Sequence, residues 1–217
     1  METLDVILNK WNELYDSKVD YKSIIQEGPF VVLENSGNAS LNELELDDVR
    51  KALVLPNQAV KDYCLLENFK LNCDKTILYE NVDGTYSLLM IEMKSKFSTQ
   101  ELYKARLQIQ DTALKFLNLL NPIKEFRRLI VRLYGIIASN KPDDKCLMYL
   151  SKLSELPAEE QNMAFFALNL HQHSLDSTGY TVYDDQGKRS LEYYSYPITF
   201  YYYPSSSNKV SMSLPVV

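Results

Sequence analysis

Asp74, Glu92 and Lys94 lie on one short stretch of the chain, the last two within Ile91-Glu92-Met93-Lys94. Two carboxylates give hard oxygen ligands to a small divalent cation such as Mg²⁺, which keeps several of its waters and needs only one or two acids from the protein. A cation so held lowers the pKa of a bound water and stabilises charge developing on a phosphodiester. A lysine beside it can orient or activate that water, because its ammonium is a compact point charge whose pKa is readily adjusted. Asp74 and Glu92, with the Met93 carbonyl, are therefore the candidate metal ligands, and Lys94 is the candidate for handling the water.

The surrounding pattern must bring these groups together. Residues 75–81 are rich in Thr, Ile, Leu and Tyr, and residues 86–93 are almost continuously apolar, which suits a central strand covered on both faces. Asp83-Gly84 marks a turn between them. Side chains alternate along a strand, so Glu92 and Lys94 share a face. A two-residue loop would set Asp74 opposite Met93, on the wrong face. A three-residue loop, Val82-Asp83-Gly84 with Gly84 left-handed, sets Asp74 opposite Glu92, so the site requires that loop or an equivalent bulge. Ser98-Thr99-Gln100-Glu101 is a capping box, predicting a helix over residues 99–120 with Leu102, Ala105, Ile109, Ala113, Phe116, Leu117 and Leu120 on its apolar face. Residues 126–139 read as a further core strand.

Outside this stretch, residues 2–16 have helical spacing of apolar positions and residues 29–34 read as a short strand. Residues 40–54 are ambiguous; Ser40-Leu41-Asn42-Glu43 resembles a capping box, and Leu44, Val49, Ala52 and Leu53 could line one helix face. A short helix is expected over residues 60–69, helices over 146–153 and 158–170, and tyrosine-rich strands over 180–183, 191–203 and 210–214.

The 217 residues suit one domain with an appended lobe. No run approaches the roughly 20 apolar residues that span a bilayer, and the N-terminus lacks a basic region ahead of its apolar residues, so neither a membrane span nor a signal peptide is expected. Three widely spaced cysteines, Cys64, Cys73 and Cys146, fit a reducing, cytoplasmic setting and make no zinc motif. A net charge of −6 argues against a free-standing, tight nucleic-acid binder and for dependence on a partner.

An Asp, a hairpin, an apolar strand ending in Glu92-Met93-Lys94 and a helix carrying Ala105-Arg106-Leu107-Gln108 resemble the PD-(D/E)xK nuclease superfamily. The resemblance spans residues 60–139. It implies an α/β (α+β) fold with a restriction-endonuclease-like αβββαβ core, a central mixed sheet flanked by helices. Residues 1–59 would then form an N-terminal helix and strand extension, and 140–217 a C-terminal extension of helices and tyrosine-rich strands packed on the core. It further implies that Asp74 and Glu92 hold Mg²⁺ or Mn²⁺, that Lys94 positions the water, and that Gln108 is the helical glutamine of many members. Cys73 stands where the family pattern has proline, and the acid that many members carry on the first core helix has only weak candidates in Glu34 and Glu67.

The function expected on this basis is metal-dependent hydrolysis of DNA, with RNA the other substrate, by a subunit of a larger system such as phage defence or restriction, together with a protein partner or as a homo-oligomer. The alternative is a degenerate nuclease fold serving as an interaction subunit, with the tyrosine-rich strands as its interface. Lys96, Arg127 and Arg128 are the candidate nucleic-acid contacts, with Lys124 and Arg132 in the same basic cluster. His171-Gln172-His173 could ligate zinc on a strand, but lacks a nearby third ligand and reads better as a solvated helix end.

Overall fold

A computed structural model describes residues 2–15, 19–28, 30–33, 43–47, 49–63, 71–175, 180–182, 197–205 and 209–212. The expected hairpin is its centre. Strands β5 (Lys75–Glu80) and β6 (Tyr86–Lys94) are antiparallel, with Lys75 paired to Ile91 and Glu80 to Tyr86. The Asn81 amide donates to the Thr85 carbonyl at 2.8 Å and Gly84 has φ +77°, which is the three-residue loop with a left-handed glycine. Every residue of β6 up to Met93 is buried, as its apolar run requires.

Helix α3 (Thr99–Leu120) comes next, with the Ser98 hydroxyl accepting from the Glu101 amide at 3.3 Å. It leads into β7 (Val131–Asn140), which runs parallel to β6. A second crossover, through α4 (Asp144–Leu150) and α5 (Ala158–Leu175), reaches β9 (Ile198–Ser205), parallel to β7. Both crossovers step the same way across the sheet, so with the usual right hand their helices fall on one face. Leu102 and Ile109 of α3 share a core there with Phe166 and Leu170 of α5.

Strands β1 (Ile24–Glu27), β4 (Lys51–Leu55) and β8 (Tyr180–Val182) complete a seven-stranded sheet in the order β1-β4-β5-β6-β7-β9-β8. Strands β2 (Phe30–Leu33), β3 (Glu43–Leu46) and β10 (Lys209–Met212) form a small sheet, in the order β10-β3-β2, that covers its other face. Phe30, Val32, Leu44 and Leu46 pack there on Ile77, Leu89, Ile91 and Ile136. Helix α1 (Thr3–Leu14) places Trp11 in the α3-side core, where its ring lies 6.2 Å from Phe116 and its Nε1 donates to the Tyr21 carbonyl at 2.7 Å. Helix α2 (Asn57–Tyr63) links β4 to β5. None of the described helices is long and apolar enough to cross a membrane.

The fold is mixed α/β as expected, but several expectations about its parts are corrected. The stretch left open over residues 40–54, with a helix as one option, holds two strands, β3 and β4, among its described residues. Glu43-Leu44-Glu45-Leu46 alternates with period two, burying both leucines between half-buried glutamates, and this outweighs a capping signature whose Ser40 and Asn42 lie outside the described residues. Strand β4 pairs with β5, and β9 pairs with β7, so the main sheet extends beyond residues 60–139 at both ends. Strand β7 begins at Val131, and Phe126–Arg128 is a turn of 3₁₀ helix instead of strand. The tyrosine-rich β9 is an internal strand between β7 and β8, with Tyr202 buried and Tyr201 and Tyr203 half-buried. Glu34, Cys64 and Glu67, and residues 64–69 of the short helix, lie outside the described residues.

Candidate functional site

The three-residue loop pairs Lys75 with Ile91, which puts Asp74 just ahead of β5 and beside the end of β6. The Asp74 amide donates to the Ile91 carbonyl at 2.9 Å. Its carboxylate Oδ2 accepts from the Met93 amide at 2.7 Å, which ties the side chain of one strand to the backbone of the other. Asn57 of α2 donates from its side chain to the Cys73 and Asp74 carbonyls, fixing the same backbone from the other side.

Glu92 is 2 % exposed. Its Oε1 accepts from the Lys94 ammonium at 2.7 Å, while Oε2 is buried and makes no hydrogen bond. Burial pushes its carboxyl up to about 8; the neighbouring Asp74 carboxylate pushes the same way and Lys94 opposes both. A buried carboxylate oxygen without a partner costs free energy unless something fills its place.

Lys94 sits at the end of β6, its side chain 10 % exposed. Besides Glu92 it donates to the Gln108 Oε1 at 2.7 Å, and the Glu101 carboxylate lies 3.8 Å away. The same Gln108 amide donates from Nε2 to the Asn72 carbonyl at 2.9 Å. Gln108 therefore joins the lysine on β6 to the segment that carries Asp74. Asp74, Glu92, Lys94 and Gln108 are thus brought together at the end of β6, on the face covered by α3, with Met93 between them in sequence.

The basic residues divide. Lys96 is exposed two residues beyond Lys94 and lines a groove of about 520 Å³ that runs past Ser98 and Thr99 to Lys145 and Tyr149 of α4. Arg127 and Arg128 are exposed at the opposite end of the sheet, near where Tyr86 pairs with Val131. Eight residues of strand separate that pair from Lys94, about 26 Å at roughly 3.3 Å per residue. They do not belong to this site, because the 3₁₀ turn precedes the start of β7 while the acids sit at the far end of β6. Lys124 is exposed in the same neighbourhood, and Arg132 pairs with Asp83 of the hairpin loop at 2.9 Å. His171 lies on helix α5, not on a strand, with its ring 5.9 Å from Phe97; His173 is on the same helix.

Among the described residues no group of three or more His, Cys, Asp or Glu side chains is placed to hold a metal ion. The set here is two carboxylates and a backbone carbonyl, which suffices for a cation that retains its waters. The unpartnered Glu92 Oε2 beside Asp74 fits that role. Sequence reasoning missed Asn57, Asn72, Thr112 and Lys115, which surround the Asp74 segment. The available signal was Gln108, Thr112 and Lys115 at helical spacing, a polar line beside the apolar face of α3, with Thr112 and Lys115 buried. Compared with protein-family models, with curated proteins and with solved structures, the chain gave no match.

Proposed function

We propose that the protein is a metal-dependent nuclease that hydrolyses phosphodiester bonds, its site formed by Asp74, Glu92, Lys94 and Gln108. The observation that carries this reading is the pairing of Asp74 with a buried Glu92 whose Oε2 has no hydrogen-bond partner, next to a lysine held by two acceptors. Asp74 and Glu92, with the Met93 carbonyl, would hold Mg²⁺ or Mn²⁺. When bound, such a cation supplies an acidified water and charge stabilisation at the phosphate.

The chain's own groups do the rest. Lys94 presents its ammonium where an attacking water or a phosphate oxygen would approach, and Gln108 and Glu92 fix its direction. Burial of Glu92 keeps bulk water from competing for its oxygens. Lys96, exposed two residues beyond Lys94 and lining the groove, is suited to a backbone phosphate of the substrate. The net charge of −6 makes strong unaided binding of nucleic acid unfavourable and supports action alongside a partner that carries basic surface.

A second reading rests on the Glu92–Lys94 pair, which at 2.7 Å is already a closed salt bridge. In that reading the site is a structural remnant and the fold serves as an interaction subunit. Cleavage assays with Mg²⁺ or Mn²⁺ on mixed DNA and RNA, wild type against Lys94→Ala, separate the two. The nuclease reading expects cleavage by the wild type, with a loss of about 100-fold or more in the variant under conditions where it remains folded. Equal cleavage by both would remove Lys94 from the reaction, and metal-independent behaviour of both proteins would favour the structural reading.

A further inference from the structure

One face of α3 does more than supply Gln108. Gln108, Thr112 and Lys115 are spaced i, i+4 and i+7, so they project along one line of the helix. Each takes a group of the segment that precedes Asp74. Lys115 Nζ donates to the Leu71 carbonyl at 3.0 Å and to the Asn72 Oδ1 at 2.9 Å. Gln108 Nε2 donates to the Asn72 carbonyl at 2.9 Å. The Thr112 hydroxyl accepts from the Cys73 amide at 2.9 Å and donates to the Gln108 carbonyl one turn earlier at 2.7 Å. Three successive residues of an irregular segment are thus held by three successive polar positions of one helix.

The burial of these groups makes the arrangement costly to build for packing alone. Lys115 is 2 % exposed and Thr112 fully buried. An ammonium is among the groups least often found inside a protein, and an apolar residue at that place would avoid its desolvation. Asp74 comes immediately after the clamped segment, and its carboxylate must meet the Met93 amide and face Glu92.

We infer that Thr112 and Lys115 are positioning residues of the metal site: they lock residues 71–73 onto α3 and thereby set the Asp74 carboxylate beside Glu92. The inference rests on the metal reading for its consequence, but the clamp has a readout of its own. The Met93 amide is bonded to the Asp74 side chain, so its hydrogen exchange reports where that side chain is.

The test uses the full chain. Binding of Mn²⁺ is measured by calorimetry, and exchange of the Met93 amide by NMR, in wild type, Thr112→Val, Thr112→Ser and Lys115→Met. Valine keeps the shape of threonine and deletes the hydroxyl; serine restores it. Thr112→Val is expected to weaken Mn²⁺ binding by about 10-fold, the lower end of the effect of losing a residue that orients a metal ligand, to speed Met93 exchange several-fold, and to lower the melting temperature, because the buried Cys73 amide loses its acceptor. Thr112→Ser should return both to near wild type, and Lys115→Met should shift them as valine does. Wild-type affinity and wild-type Met93 exchange in Thr112→Val would overturn the inference, whether or not Lys115→Met folds. If the wild type itself takes up no Mn²⁺, the metal reading fails, and Met93 exchange alone decides the clamp: faster in Thr112→Val upholds it, unchanged overturns it.

Discussion

Glu92 carries the most unusual chemistry of any single residue. Its carboxyl is displaced from 4.5 to about 8, first by burial and then by Asp74, against the pull of Lys94. A carboxyl raised in the folded state holds a proton that the unfolded chain has released, so its contribution to stability is fully present below about 4.5 and is lost as the pH rises through about 8. The metal-free protein should therefore melt at progressively lower temperature across that window. Glu92→Gln should flatten this dependence, since the amide has no proton to lose. Mn²⁺ should restore the wild type on the alkaline side and leave the glutamine variant unchanged, and the apparent Mn²⁺ affinity of the wild type should rise with pH as the proton is displaced. Thermal scans with and without Mn²⁺ over this pH range check all three.

At the scale of elements, two glycines control where the site-bearing parts sit. Gly84 adopts φ +77° with nothing near its missing side chain, so Gly84→Ala meets backbone strain alone and should cost about 1 kcal/mol in chemical denaturation, with the register kept. Gly135 of β7 lies under α3, where an added Cβ would come within 2.9 Å of Ile109 and Phe200. Gly135→Ala should push α3 off the sheet, cost about 1 to 3 kcal/mol and weaken metal binding by moving Gln108 away from Lys94. These two also mark what could be read from the chain. Side-chain alternation and one turn glycine left two hairpin loops open, and only the requirement that Asp74 reach Glu92 favoured the three-residue loop that the structure has. The α3 limits followed from a cap and an apolar stripe that the structure buries except at Leu117, with Leu119 buried as well. Residues 40–54 stayed ambiguous because a capping signature competed with the alternation of Glu43 to Leu46 that the structure follows. The Thr112 and Lys115 contacts were out of reach, since they join residues 39 to 44 positions apart through packing that no local pattern encodes.

At the scale of the whole molecule, the sheet separates two ends. The acids and Lys94 lie where the parallel strands β6 and β7 finish, and Arg127 and Arg128 lie where those strands begin. Reversing both arginines, Arg127→Glu with Arg128→Glu, should therefore leave Mn²⁺ affinity unchanged within a factor of about 2, because about 26 Å of screened separation exceeds the Debye length at ordinary salt. Calorimetry on the double variant tests this directly. The sheet also draws on the chain from Ile24 to Ser205, so the local hairpin that makes the site depends on strands far from it in sequence. Trp11 gives that dependence an optical reporter. It is the chain's single tryptophan, fully buried by α1 against Phe116 of the helix that holds Gln108, Thr112 and Lys115. Its emission should be blue-shifted in the native state and move to the red when α1 leaves α3, giving a label-free fluorescence signal for the docking of the N-terminal helix on the site-bearing one.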